Sequence, residues 1–319
     1  MDAANAPTIA TVTLNPALDE AIAVDEVLLG TTNRCELDAL DPGGKGINAS
    51  RVIHRLGRKT LAFGFAGGVT GRLLCERLRD EGLSLDFDEV DDLTRLNVMI
   101  FERSTGRRSR LYLSGARVEP LKAAALLSRL EQLEGGGIVV LGGSLPPGLP
   151  DTIYQEFVRT LRARTMRPIV DTSGAALAAV LTAKPLLVKP NVEEAEALLG
   201  RRLADDDAVL VAADEIRRRG PDYVVISQGA GGAIGVGTDG AWKVVPPAIT
   251  ACSTVGSGDS MIAGLAIAFS EGRGFVEGLR LGTATGAATA MVPGTRLCNA
   301  AQVEELLPRV VVRSLALSG

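Results

Sequence analysis

Asp259 stands three residues after a glycine in Ser253-Thr254-Val255-Gly256-Ser257-Gly258-Asp259-Ser260, and the apolar run Met261-Ile262-Ala263-Gly264-Leu265-Ala266-Ile267 follows at once. A glycine-rich turn that opens into a helix points unpaired backbone N–H groups, and the positive end of the helix dipole, at one place. That is an anion site. A carboxylate there repels a phosphate rather than binding it. It is well placed, however, to take the proton of a hydroxyl attacking a phosphorus held by the N–H groups of Gly256, Ser257 and Gly258. The chemistry implied is phosphoryl transfer to an alcohol. The plainer alternative makes Gly256 an ordinary helix start and Asp259 its cap.

Five further turns carry polar groups: Asn15-Pro16-Ala17-Leu18-Asp19, Pro42-Gly43-Gly44-Lys45-Gly46-Ile47-Asn48, Gly142-Gly143-Ser144-Leu145-Pro146-Pro147-Gly148, Lys189-Pro190-Asn191-Val192-Glu193-Glu194 and Ser227-Gln228-Gly229-Ala230-Gly231-Gly232. Each has a dull reading as well. Asn191 and Glu194 have the spacing of a capping box. Asp19 reads equally as a solvated loop carboxylate, and Arg95 as a surface charge. Lys45 sits in a glycine run, but Gly46 stands where a Walker A loop needs Ser or Thr. No G-x-G-x-x-G follows the first strand, so the dinucleotide fingerprint is missing too. The argument rests on six turns in one order.

The elements that must position these turns alternate. Thr8 to Leu14 is β-rich, and Gly43 to Leu56 runs from a glycine loop into a helix. Leu61 to Phe65 reads as a strand and Gly71 to Glu81 as a helix, with Leu73, Leu74 and Leu78 at helical spacing. Near-continuous apolar strands follow at Gly137 to Leu141, Pro168 to Asp171, Leu186 to Lys189 and Tyr223 to Ser227, separated by helical stretches. Such alternation implies a parallel sheet covered on both faces, with ligands at the strand ends. Two segments break the rhythm. Leu18 to Leu40 is one; the other is the pair Asn97 to Phe101 and Arg110 to Leu113, which flank Ser104-Thr105-Gly106-Arg107 like a hairpin. They suggest a small β lid, built from about 17–40 and 93–115, on a single domain spanning 1–319. Val24, Val27, Leu28, Val98, Ile100, Leu111 and Leu113 make the lid too apolar to be wet on both faces, so a second copy is expected to cover one.

Composition excludes several classes. The chain has 319 residues, 46% of them apolar and 23% charged, enough for a full core. Its formal charge of −4 leaves no basic stripe for nucleic acid. No apolar run spans a bilayer, and Met1-Asp2-Ala3-Ala4-Asn5 has no basic leader, so a cytoplasmic protein is expected. Cys35, Cys75, Cys252 and Cys298 lack zinc or disulfide spacing and read as reduced, mostly packing residues. His54 is the one histidine and falls on a helix, which removes Ser-His-Asp, Cys-His and multi-His metal chemistry by count.

Taken together, the turns resemble those of the ribokinase-like (PfkB-type) sugar kinases, from Thr11-Val12-Thr13-Leu14-Asn15-Pro16 to Gly294-Thr295-Arg296-Leu297-Cys298. The family's two signatures match Gly43 to Asn48 and Ser253 to Ser260, with Ser257 where alanine is usual. Ala66-Gly67-Gly68-Val69-Thr70-Gly71, Thr94-Arg95-Leu96-Asn97, the Gly142 to Gly148 turn and the Gly294 to Cys298 segment are most similar to the 6-phosphofructokinase branch. Lys45 departs from that branch and resembles 1-phosphofructokinases and tagatose-6-phosphate kinases.

The resemblance implies an α/β fold of three α/β/α layers, with a mostly parallel central sheet and a small β-sheet lid. It implies ATP and Mg²⁺, and the phosphorylation of fructose 6-phosphate at its C1 hydroxyl. Asp259 would be the base and Gly256, Ser257 and Gly258 the anion hole. Asp19, Gly43, Gly44 and Asn48 would bind sugar hydroxyls, Arg95 the sugar's phosphate, and Ser144 would lie near it. Lys189, Ser227, Gly229 and Gly232 would line the nucleotide side. Asn191 and Glu194 would organise Mg²⁺ through water, and carbonyls around Ser253, Val255, Gly294 and Arg296 would hold a monovalent cation such as K⁺. Relatives pair as homodimers through the lid. Two readings from other classes stand beside this: a catalytically silent sugar-phosphate-binding regulator, and a dinucleotide-dependent dehydrogenase, which lacks both its glycine fingerprint and a proton-relaying histidine.

Overall fold

The computed structural model describes residues 9–133 and 135–316. Thr8 and the leader segment Met1 to Asn5 lie outside them. In chain order the elements are β1 (Ile9–Thr13), β2 (Ala17–Val24), β3 (Glu36–Gly43), α1 (Lys45–Arg55), β4 (Thr60–Gly67), α2 (Gly68–Asp80) and β5 (Ser84–Val90). Next come β6 (Arg95–Glu102), β7 (Arg108–Leu111), α3 (Pro120–Leu130), β8 (Ile138–Gly142), α4 (Ile153–Ala163), β9 (Arg167–Asp171) and α5 (Gly174–Leu181). The rest are β10 (Leu187–Val188), α6 (Val192–Leu199), α7 (Asp206–Arg218), β11 (Tyr223–Ser227), β12 (Ala233–Gly237), β13 (Gly240–Val245), α8 (Ser257–Ser270), α9 (Gly274–Ala290), α10 (Ala300–Leu306) and β14 (Val311–Leu315).

Ten strands form one sheet in the order β14-β13-β12-β11-β10-β9-β8-β1-β4-β5. From β5 to β11 every neighbour is parallel, and β12, β13 and β14 add an antiparallel margin. Helices α3 to α7 cover one face, packing on Val12, Val139, Val170 and Val224. Helices α1, α8, α9 and α10 cover the other, on Ile138, Val140, Ile169 and Val225. The adjacent strand residues Val139 and Val140 thus serve opposite layers, as pleating demands. This is the three-layer α/β/α arrangement expected. Among the described residues no helix is long and apolar enough to cross a membrane.

Buried polar residues lock α1 to the sheet. On the α1 side β1 carries threonines: Thr11 Oγ1 pairs with Ser50 Oγ at 3.0 Å, and the Ile47 N–H donates to Thr13 Oγ1 at 2.8 Å. The fully buried Arg51 donates twice to Glu81 and, from Nη1, to the Pro42 carbonyl at 3.0 Å, bracing the loop that enters α1. A buried guanidinium with every partner supplied is the form in which such a charge is tolerated.

The lid is a second sheet in the order β3-β2-β6-β7. It rises from the end of β1, the third strand from the β5 edge of the large sheet, with β2 antiparallel to β3 and parallel to β6. Strand β6 begins at Arg95, β7 spans Arg108–Leu111, and β3 runs on to Gly43, so the lid is wider at its base than the sequence suggested and its second hairpin strand shorter at Leu113. Strand β10 is only two residues, because Pro190 cuts the ladder after Lys189. Helix α2 starts at Gly68, three residues before the expected Gly71. All four cysteines are free; Cys75 and Cys298 are buried packing residues, whereas Cys35 and Cys252 are exposed. His54 is half-buried on α1.

Candidate active site

Because β1, β8, β9, β10 and β11 are parallel, their carboxyl ends open on one side of the sheet, and the polar turns collect there. At the start of α8, Gly256 is the N-cap with φ of 76°, a left-handed backbone that suits glycine. No side chain caps this helix. Among the described residues no hydrogen bond takes the N–H of Gly256 or Gly258, while the Ser257 N–H leans on the Thr254 carbonyl at 3.3 Å. The open donors of the first turn are therefore those of an anion site.

Asp259 does not act as a cap. Its Oδ2 instead accepts from Asn48 Nδ2 of α1 at 2.8 Å. Burial pushes its carboxyl above the usual range, and nearby Asp171 adds to the rise, while Lys45, Asn48 and Lys189 oppose it. A carboxylate made more basic and kept in place by one hydrogen bond is suited to accept a proton.

Asp171, at the end of β9, is a residue that sequence reasoning passed over. It is buried between two ammonium groups: Lys45 Nζ donates to Oδ1 at 2.7 Å, and Lys189 Nζ lies 3.2 Å from Oδ2. Burial alone would raise its pKa, but Lys189 and Lys45 hold it below the usual range. Lys189 also reaches the anion turn, since a Cβ placed on Gly258 would lie 3.3 Å from its Nζ. The available signal was a carboxylate ending an apolar parallel strand, where such sheets bind ligands.

Asn191 and Glu194 form a complete capping box at the start of α6. The box leaves one oxygen over: Glu194 Oε2 accepts the Asn191 N–H, whereas Oε1 faces Lys45 Nζ at 3.7 Å. Ser227 is bridged to Asn191 in parallel, which sets the turn holding Gly229 and Gly232 next along this rim. Among the described residues no hydrogen bond joins either glycine to the Asp259 cluster.

A second group gathers beneath the lid. Asp19 on β2 accepts from Asn97 Nδ2 on β6 at 2.8 Å, and burial pushes its pKa up to about 6 although Asn97 and Arg95 oppose the rise. Gly43 packs on it so closely that a Cβ there would come within 2.2 Å of Asp19 Oδ2. Arg95 donates to the Leu113 carbonyl at 2.8 Å and to the Asn15 carbonyl at 3.0 Å, and its Nε is buried with no partner. Asn15 Nδ2 continues the chain to exposed Ser144 Oγ at 3.2 Å. Asn15 and Asn97, not among the expected site residues, are thus the links between Asp19, Arg95 and Ser144.

The lid is tied down on both flanks. Arg108 Nη1 on β7 donates to the Cys252 carbonyl at 2.7 Å, and Thr295 Oγ1 donates to Asp41 on β3. The Cys252 and Ser253 N–H groups both meet the Ala290 carbonyl and Leu297 packs on Gly256, which ties the segment ahead of the anion turn to the end of α9. Among the described residues no cluster of three or more His, Cys, Asp or Glu could hold a metal ion. A groove of about 520 Å³ between α2 and β5 is lined by none of the candidate site residues.

Comparison with known proteins gives the family and the fold. The model of the "pfkB family carbohydrate kinase" matches residues 12–302. The chain is 37% identical over 293 residues to the ATP-dependent 6-phosphofructokinase isozyme 2 of Escherichia coli, covering 91% of this chain and 95% of that one. It is 33% identical over 307 residues to the 1-phosphofructokinase of Bacillus subtilis, covering 96% and 100%. The crystal structure of Escherichia coli phosphofructokinase-2 in complex with potassium superposes with a TM-score of 0.91 at 36% identity, over 95% of this chain and 99% of that one. With the family match over residues 12–302, the chain belongs to the pfkB family of carbohydrate kinases.

Proposed function

We propose that the chain transfers the γ-phosphoryl group of ATP to the C1 hydroxyl of fructose 6-phosphate, giving fructose 1,6-bisphosphate and ADP. The observation that carries this reading is Asp259, held by Asn48 beside the open N–H groups of α8 rather than capping that helix. In the transfer the acceptor oxygen bonds to the γ-phosphorus, the bond from that phosphorus to its bridging oxygen breaks, and the acceptor's proton passes to Asp259. The N–H groups at Gly256 to Gly258 meet the charge that builds on the phosphoryl oxygens. Asp19, Gly43, Gly44 and Asn48 receive the sugar hydroxyls, and Arg95, with an unpartnered Nε, meets the existing phosphate, with Ser144 beside it.

Lys189, Ser227, Gly229 and Gly232 line the nucleotide side. Mg²⁺ would screen the phosphate charge, and the donor set suits it: the one Glu194 oxygen outside the capping box, 3.7 Å from Lys45, leaves most of the coordination to water and nucleotide. Carbonyls of Ser253, Val255, Gly294 and Arg296 would take a monovalent cation. A single ribokinase-like domain with its lid at about 17–40 and 93–115, acting in the cytoplasm, completes the reading.

A second reading, a 1-phosphofructokinase or tagatose-6-phosphate kinase, is favoured by Lys45, which stands in the site and pairs with Asp171. One assay separates them. Purified protein with Mg-ATP is given fructose 6-phosphate, fructose 1-phosphate or tagatose 6-phosphate, and ADP is measured. The highest kcat/KM is expected on fructose 6-phosphate. Preference for either other sugar selects the second reading, and no ADP from any of them leaves a silent regulator.

A further inference from the structure

We propose that Lys45 is a movable second phosphate cation, which leaves Asp171 and Glu194 to meet the phosphoryl group as it crosses from nucleotide to acceptor. The proposal deepens the phosphotransferase reading above and rests on it. Two lysines share one buried carboxylate, yet they are not equivalent. The Lys189 side chain is 4% exposed and the Asp171 side chain 2%, so that pair is fixed; the Lys45 side chain is 34% exposed. Lys189 gives Asp171 a buried ion pair at 3.2 Å, and Lys45 is the more exposed member, with a second carboxylate, Glu194, 3.7 Å away.

Its backbone, in contrast, is rigid. Lys45 is the first residue of α1, and Asn48, three residues on, holds Asp259. Positions three apart on a helix lie on one face about 5–6 Å apart at Cβ. The cation and the residue that holds the proton acceptor are therefore carried on the same turn, with Lys189 reaching the Gly258 turn. The stem of Lys45 lies on the glycine turn after β8, where a Cβ on Gly142 would come 3.1 Å from its own Cβ. These contacts fix where the side chain starts, and the ammonium reaches a phosphate by exchanging its Asp171 and Glu194 partners for it.

The charge balance supplies the reason to move. Asp171, Asp259 and Glu194 face two ammonium groups here, so an incoming polyphosphate meets a site already short of positive charge. Lys45 acts as a point charge throughout and keeps its protons. The bonds formed and broken are those of the transfer to the acceptor oxygen, with the acceptor proton going to Asp259.

The test uses full-length Lys45→Met, which keeps the stem and removes the charge, with Lys45→Gln as a second variant that retains a hydrogen bond to Asp171. Three quantities are measured: kcat and KM with the sugar phosphate, affinity for Mg-ADP, and affinity for Mg-ADP with aluminium fluoride, a mimic of the phosphoryl group in flight. In both variants kcat is expected to fall by about 100-fold, with KM values within about threefold, as for loss of one transition-state donor. Affinity for the fluoride complex should fall by at least about 30-fold while that for Mg-ADP stays within about threefold. Equal losses for both complexes, or a kcat within about threefold of the parent, would make Lys45 a mere brace of Asp171 and end the proposal. A parent chain that turns over no sugar phosphate would instead sink the phosphotransferase reading, and this inference with it.

Discussion

The Asp19 carboxylate lies almost fully buried between β2, β6 and Gly43, and its pKa is pushed up to about 6 from an ordinary 3.8. Folding therefore favours its protonated form. The ionised form costs the folded state stability that begins to be lost above pH 3.8 and is fully lost above pH 6; the difference corresponds to about 3 kcal/mol at most. Asp19→Asn should raise the melting temperature at pH 8, and the gain should vanish below about pH 4. The same variant should bind the sugar phosphate poorly. Thermal scans at the two pH values check this, and a variant less stable than the parent at pH 8 would contradict it. At this scale the sequence was partly readable. Asp259, Asn48 and Asp19 stood out because polar residues follow apolar strands or glycine turns. Asp171 did not, because a lone carboxylate ending a strand looks the same whether it caps, solvates or holds two lysines.

Elements were legible in proportion to their periodicity. The apolar runs of β8, β9 and β11 gave strands within about a residue, because burial on both faces requires continuous hydrophobicity. The margin strands β12, β13 and β14 and the helix α9 were not foreseen. Strand β12 is Ala-Ile-Gly-Val-Gly, and α9 is built of Gly, Ala, Thr and Leu buried nearly all round, so neither carries an amphipathic period. The lid was legible as a departure from the α/β rhythm, but its base was not: Arg95 proved to be the first residue of β6, oriented by the Leu113 and Asn15 carbonyls. With both terminal nitrogens so engaged, Nε is left buried without a partner. Arg95→Ala should raise the apparent KM for the sugar phosphate by about ten- to a hundredfold, the worth of a charge-assisted pair, and barely alter that for ATP. Steady-state kinetics on both substrates decide it; a larger change in the ATP constant would misplace Arg95.

The whole molecule leaves one face unfinished. On the side of the lid away from Asp19, register places Ile22 beside Leu37 and Ile100, and Val98 beside Leu111. Leu37 is 62% exposed and Leu111 57%. An apolar sheet face of this kind calls for a partner, and a second lid is the self-complementary one. Light scattering at micromolar concentration should give the mass of two chains, and Leu111→Glu should shift it toward one; a monomeric parent would count against pairing.

What the whole architecture converges on is a single buried carboxylate, Asp259, proposed above as the proton acceptor. The sheet brings the turns to one rim, α1 holds the carboxylate through Asn48, and α8 sets it beside the anion turn. The direct test is Asp259→Asn, with kcat, melting temperature and ATP affinity measured on the same protein. Since Asp259 makes no cap bond, stability should change by no more than about 1 kcal/mol and ATP should bind at least as well, while kcat falls by at least about 100-fold. Turnover close to that of the parent chain would contradict the mechanism proposed.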